Sequence, residues 1–285
     1  MKNRTDTRLP LRNYELHTPH SALRTFRGFT LIELLVVISI IALLAALVLP
    51  ALSRVRIRAQ MKKAQMEAGG IAHAIHTYEA EFSKFPASSV GALNAMDEAS
   101  KNGEDFTYGT AGVACVGPGG MNAPSAGFST PAGTVPITAP GGYQANNSEV
   151  MAVLLDAESW PAAPGVPTIN KDHVKNPQKT TYLSATRAGN TTSPGIGPDG
   201  VYRDPWGNPY IITIDLNYDD KARDAFYRLP AVSAGGLNGL ILNGPGTFYE
   251  ANSPVMVWSP GPDKMIDPNS PANKGANKDN ILSWK

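Results

Sequence analysis

The chain has 285 residues with 25 Lys+Arg against 24 Asp+Glu, 17% charged and 42% hydrophobic. Near-neutrality removes the electrostatic basis for nucleic-acid binding, and the apolar fraction excludes an acidic disordered protein. The 27 Gly and 24 Pro argue against one compact core spanning all residues, and the single Cys115 excludes an intramolecular disulfide framework and a Cys-only metal site.

Residues 1–28 carry Lys2, Arg4, Arg8, Arg12, Arg24 and Arg27 against Asp6 and Glu15, a net +4. Phe29 to Leu49 then reads FTLIELLVVISIIALLAALVL, 21 residues broken only by Thr30, Glu33 and Ser39. As a helix this run crosses a hydrocarbon core of about 30 Å. Basic residues flank it on both sides, with Arg54, Arg56, Arg58, Lys62 and Lys63 following, so loop charge alone does not orient it. The run is longer than the apolar core of a secretory signal and ends at Leu49-Pro50 without a small-residue cleavage site. An acidic residue inside such a segment is costly unless paired, which makes Glu33 a functional candidate.

The stretch from Arg27 and Gly28 through Phe29, Thr30, Glu33 and Ile38 (RGFTLIELLVVI) resembles the cleavage and methylation motif of type IV pilin-like prepilins, including type II secretion pseudopilins. The resemblance implies cutting after Gly28 by a prepilin peptidase on the cytoplasmic face and N-methylation of Phe29. It places everything beyond Leu49 outside the cytoplasm. Glu33 becomes the fifth residue of the mature chain, where its carboxylate can pair with the Phe29 amino group of a staggered neighbour and set the assembly register.

Beyond Pro50, apolar or small residues recur at Ile57, Met61, Ala64, Ala68, Ile71, Ile75, Tyr78 and Phe82, the spacing of one helical stripe. The spacing predicts a helix from 29 to 82, loosened at Pro50 and weak at Gly69-Gly70, whose distal half packs on the chain's own C-terminal sheet. Residues 87–200 read as a Gly/Pro-rich insertion, with a helix expected near Ser148 to Asp156 and a strand at Thr180 to Ala185. His173 beside Asp172 reads as a solvated loop pair, and no hydrolase, zinc-protease or phosphate-loop motif appears, so an enzyme is disfavoured.

Residues 204–214, DPWGNPYIITI, join a turn to a β-rich run. Further strands are expected at Ala225 to Val232, Leu237 to Leu242 and Pro254 to Trp258. Helix followed by short strands predicts an α+β fold, with the long N-terminal helix packed on a small antiparallel C-terminal sheet. DPWGNPY, the WSPGPD run at 258–263 and the closing KDNILSW at 278–284 resemble the major, G-type pseudopilin of type II secretion. That resemblance implies a calcium-binding loop, with ligands at Ser259, Asp263 and Asp279 and backbone carbonyls nearby, and Asp267 as an additional candidate. Such a loop has no core of its own, so cation binding can order it.

The resulting organisation is a leader (1–28), a transmembrane helix (29–49), an amphipathic extension (50–86), the insertion (87–200) and a sheet with its acidic loop (201–285). The implied protein is an inner-membrane, single-pass pseudopilin with a periplasmic C-terminal domain. It assembles into a homo-oligomeric filament with other pseudopilins on an inner-membrane secretion platform. The alternatives are a type IV pilin or minor pseudopilin and, from another class, a membrane-anchored binding or hydrolytic protein that uses a prepilin export signal.

Overall fold

The computed structural model describes residues 28–87, 105–109, 114–116, 122–124, 146–161, 163–235, 238–243 and 248–285. The leader up to Arg27 and much of the first half of the insertion lie outside the described residues. Helix α1 runs unbroken over Leu31–Phe82, 52 residues, with Pro50 inside it. It stops where Ser83 takes a left-handed conformation (φ 53°) and Pro86 follows, a combination that cannot continue a helix. The chain divides into two units, Met1–Ala51 and Leu52–Lys285, the division falling one residue after Pro50.

In the first unit the helical residues are exposed throughout, and the apolar window has a mean hydropathy of 3.0 with none of it buried.

The second unit is built on a four-stranded antiparallel sheet whose spatial order follows the sequence: β1 (Phe106–Tyr108), β2 (Ile211–Ile214), β3 (Val255–Ser259) and β4 (Ile281–Leu282). Phe106 faces Ile214, Val255 faces Ile214, and Trp258 faces Leu282. Side chains alternate between the faces of a strand, and here both faces are covered. Phe106, Tyr108, Ile212, Ile214, Val255 and Val257 join one cluster with Ala68, Ile71, Ala74, Ile75 and Tyr78 of α1. Ile211, Met256 and Trp258 point the other way, into a second cluster with Phe226, Tyr227 and Val232.

The expected burial of the distal half of the helix is therefore present from Ala64 onward, while Ile57 stays 44% exposed. Helix α2 (Ser148–Leu154) also packs on the first face, through Val150, Met151, Val153 and Leu154, so the later part of the insertion contributes to the main core. Asn147 ties it there, donating from Nδ2 to the carbonyls of Tyr202 (2.9 Å) and Tyr210 (2.7 Å) while its Oδ1 accepts from Tyr202 N (2.9 Å).

Two expected strands are absent. Ala225 to Val232 forms a turn and then a short helix, Pro230–Ser233, because Asp224 Oδ1 captures the N–H groups of Phe226 (2.9 Å) and Tyr227 (2.8 Å) and Pro230 opens the helical turn. Thr180 to Ala185 is extended but outside any sheet. Its Tyr182 N–H goes to Leu154 O (2.9 Å), closing the end of α2. Of the strand expected at Leu237 to Leu242, Leu237 lies outside the described residues and Ile241–Leu242 forms a strand, paired with Tyr249–Glu250.

Candidate functional site

The described chain opens at Gly28, in coil just ahead of α1. A Cβ added at Gly28 meets nothing within 4 Å, so the fold places no steric demand for glycine there. Phe29 is 70% exposed. Thr30 stands immediately before the first helical residue, and Glu33 Oε2 accepts from both its N–H (2.8 Å) and its Oγ1 hydroxyl (2.7 Å). Thr30 Oγ1 in turn accepts from Glu33 N (3.3 Å). This reciprocal pattern is a capping box, satisfying helix-start donors that would otherwise lie unpaired. The Thr-x-x-Glu spacing was legible in the sequence, whose reading gave Glu33 only a partner on another subunit.

From Phe29 to Leu49, fifteen large apolar side chains are at least 43% exposed. Moving side chains of this kind out of water is worth roughly 1.5 kcal/mol or more each, on the order of 20 kcal/mol in all. Such a surface belongs in lipid or against other apolar helices.

At the head, the DPWGNPY element works as a clamp. Asp204 is fully buried; its Oδ1 accepts from Trp206 N (2.9 Å) and Asn208 N (2.8 Å), and its Oδ2 from Asn208 Nδ2 (2.8 Å) and the Ser259 hydroxyl. Burial pushes the Asp204 carboxyl up, against the pull of these donors. Asn208 Nδ2 also donates to Gly261 O (2.9 Å), and Tyr210 Oη donates to Glu67 Oε2 (2.6 Å) on α1. One seven-residue element thus holds the loop after β3 and fastens it to the helix.

The four positions singled out for calcium are distributed unevenly. Ser259 is committed to Asp204 and to Gly261 N (3.0 Å). Asp267 organises its own turn, accepting from Asn269 N (2.9 Å) and Ser270 Oγ (2.5 Å). Asp263 and Asp279 lie together. Burial raises both carboxyls, Asp279 raises Asp263 further, and the Asp263 backbone hydrogen bond pulls Asp279 back down. Asp279 Oδ1 is buried and has no hydrogen-bond partner. Gly261 (φ 75°) lets the β3 loop close on this segment, since a Cβ there falls 2.3 Å from Asp279 O. Among the described residues no three His, Cys, Asp or Glu side chains converge as a metal cluster.

His173 departs from its expected solvated state. Its Nδ1 lies 2.8 Å from Asp156 Oδ1 and its Nε2 3.1 Å from Glu158 Oε1, with the side chain 19% exposed. Both ring nitrogens serve to hold the turn after α2, and Asp172 contributes its backbone N–H to Glu158 (3.1 Å).

A bare apolar helix with a capped start and a covered α+β head define the class: a membrane-anchored, pilin-like structural protein. Residues 23–49 match the prokaryotic N-terminal methylation motif. The chain is 44% identical over 66 residues to the fimbrial protein EcpC of Eikenella corrodens, covering 23% of this chain and 43% of that protein. It is 41% identical over 66 residues to a type IV major pilin protein PilE1 of Neisseria gonorrhoeae, covering 23% and 40% respectively. The chain thus spans about two-fifths of the length of the curated relatives it matches. No solved structure matches. The N-terminal segment of the chain is that of a type IV pilin-like prepilin.

Proposed function

We propose that this chain is a filament subunit of the cell envelope, and specifically a G-type pseudopilin of type II secretion. In this reading a prepilin peptidase cuts after Gly28, Phe29 is N-methylated, and the subunit waits in the inner membrane with its head in the periplasm. Copies then assemble with other pseudopilins, on an inner-membrane platform, into a short filament that moves exoproteins. The observation that carries the filament reading is the bare helical segment from the processing motif to Leu49, because a surface of that size needs many apolar partners once it leaves lipid. The open space around Gly28 fits a residue selected by a peptidase.

The calcium implied by the G-type resemblance would be held by Asp263 and Asp279 with nearby carbonyl oxygens. The unpartnered buried Asp279 Oδ1 supports that fit, because a hard cation takes oxygen ligands. It would draw the two carboxylates together and order the closing loop.

A type IV pilin is the second reading, favoured by the pilin relatives. Intact-mass measurement of the membrane form should give a chain starting at methylated Phe29; a mature protein retaining residues 1–28 overturns the processing. Immunogold labelling then separates the two readings, since long surface filaments mean a pilin and labelling confined to the envelope means a pseudopilin. Calorimetric titration with Ca²⁺ should give heat that Asp263→Ala removes, and no heat overturns the cation site.

A further inference from the structure

Within the second unit, charge is segregated to opposite ends of the helical segment that the head packs on. At the Lys62 end a cleft of about 540 Å³ is bounded by Arg58 and Lys62 of α1 and by Lys278 and Lys285 of the closing segment, over an apolar floor that includes Met61 and Ile281. None of its described lining residues is acidic. At the Phe82 end lies the loop after β2, Asp215 to Asp220. Asp215 receives the N–H groups of Tyr218 (2.6 Å), Asp219 (3.2 Å) and Asp220 (2.8 Å), which turns Asp219 and Asp220 outward into solvent. Tyr218 projects with them, 58% exposed, its ring 5.5 Å from that of Phe85.

Three further features set the charge of this end. The last turn of α1 contains no basic residue and holds Glu79 and Glu81, and the C-terminus of a helix carries partial negative charge of its own. Glu250 is shared by the neighbouring Lys221 at 2.6 Å and Arg223 at 2.7 Å, so this trio keeps one positive charge. Asp105, which faces Asp215 and Asp219, is pushed up to about 8, by burial first and then by these two carboxylates, so it adds no negative charge of its own at neutral pH. Among the described residues Lys84, Lys175, Lys221 and Arg223 are cations at this end, against the carboxylates of Glu79, Glu81, Asp215, Asp219, Asp220 and Glu250. The two poles are some twenty residues apart along α1, about 30 Å at 1.5 Å per residue. They therefore cannot meet within one head.

The geometry points to a head-to-tail contact in which the Tyr218-Asp219-Asp220 tip of one copy docks in the Arg58/Lys62/Lys278/Lys285 cleft of the next. The occupant is a second copy because the chain itself supplies the complementary surface: an aromatic anchor flanked by two carboxylates for an apolar floor rimmed by four cations. The two surfaces are different and lie at opposite ends, so the contact is heterologous and repeats without closing on itself. This inference rests on the filament reading and supplies it with a head contact.

The test is cysteine cross-linking of the full-length chain in membranes, with Cys115→Ser as background. Lys62→Cys combined with Asp220→Cys should give a ladder of oligomers on mild oxidation. Either substitution alone should stay monomeric, because each thiol then faces a non-cysteine residue of the next copy and a disulfide needs Cα atoms within about 7 Å. Arg58→Cys with Asp219→Cys is the second pair. Adding Arg58→Glu to the first pair should reduce the ladder at least tenfold, and adding Asp219→Arg should restore it. Sheared filaments recovered without a ladder from either pair overturn the contact while leaving the filament reading intact. A ladder without filaments upholds the contact and overturns the filament reading, and the absence of both overturns both.

Discussion

Glu33 has two roles that one substitution can separate. Within the chain its carboxylate accepts from the N–H and hydroxyl of Thr30 at 2.8 and 2.7 Å, a function the amide oxygen of Gln performs equally well in a capping box. Between chains the proposed role is charge pairing with the amino group of a neighbouring Phe29, which Gln cannot perform. Two unit charges 4 Å apart at an effective dielectric of 20 attract by about 4 kcal/mol. Desolvation and side-chain ordering offset part of that, leaving roughly 1.5–3 kcal/mol, or about 10- to 150-fold in subunit association. Glu33→Gln should therefore be processed and anchored like the wild type yet give at least tenfold less sheared filament per mature subunit. Thr30→Ala removes the capping hydroxyl at a cost of about 1 kcal/mol and keeps the charge, so it should retain most assembly. Filament yield is read by shearing and centrifugation, with intact mass as the control for cleavage. Wild-type yield from Glu33→Gln, or a Thr30→Ala defect as deep as that of Glu33→Ala, would refute charge pairing and leave capping as the reason for the acid.

Asp105 carries a pH-dependent penalty. Burial and the Asp215 and Asp219 carboxylates push its carboxyl up to about 8, so the folded head keeps a proton that the unfolded chain releases near its ordinary value. Stability should fall as pH rises from about 4 to 8, by several kcal/mol, and Asp105→Asn should flatten that fall in thermal melts; an unchanged slope removes Asp105 as its source. Tyr210→Phe deletes the donor to Glu67 at 2.6 Å and should cost about 1–2 kcal/mol, a few degrees in Tm, with no loss of processing. Gly261→Ala forces a methyl group against Asp279 O at a positive φ and should cost roughly 1–3 kcal/mol. Gly69→Ala in α1 meets nothing within 4 Å and should stabilise by about 0.5–1 kcal/mol, so equal effects from the two would refute the steric reasoning.

The elements that the sequence predicts well are those governed by near neighbours. α1 follows from a continuous apolar run to Leu49 and a 3.6-residue stripe from Ile57 to Phe82, and β3 from an apolar run bounded by prolines. Sequence reasoning fails where a side chain diverts the backbone. The β-prone run Ala225 to Val232 becomes a turn because Asp224 captures two N–H groups, and that aspartate is held in place by Thr213 Oγ1 (2.6 Å) and Trp258 Nε1 (2.9 Å) from distant strands. The second cover of the sheet carried a signal that was not used. VMVWS has no polar alternation and is buried at all five positions, as a strand sandwiched on both faces must be. At the candidate site, the processing motif and the Asp263–Asp279 pair are local in sequence or share one loop cluster. Ser259, by contrast, is withdrawn by Asp204, 55 residues away.

The sheet also limits how copies of this chain can associate. Filaments built by strand pairing need a long open edge with free N–H and C=O groups. Here the outer strands are β1, three residues and fully buried, and β4, two residues. Gly109 closes tightly after β1, where a Cβ would lie 2.6 Å from Tyr210 O on the strand that β1 already pairs with. Both faces are occupied as well, by the helices on one side and the 222–240 segment on the other. With its faces covered and its edges short, the four-stranded sheet offers no long open edge among the described residues. The proposed association uses surfaces that the described residues leave open: the apolar helix surface from Phe29 to Leu49 and the charged poles of the head. The first supplies apolar contact without direction, and the second supplies direction.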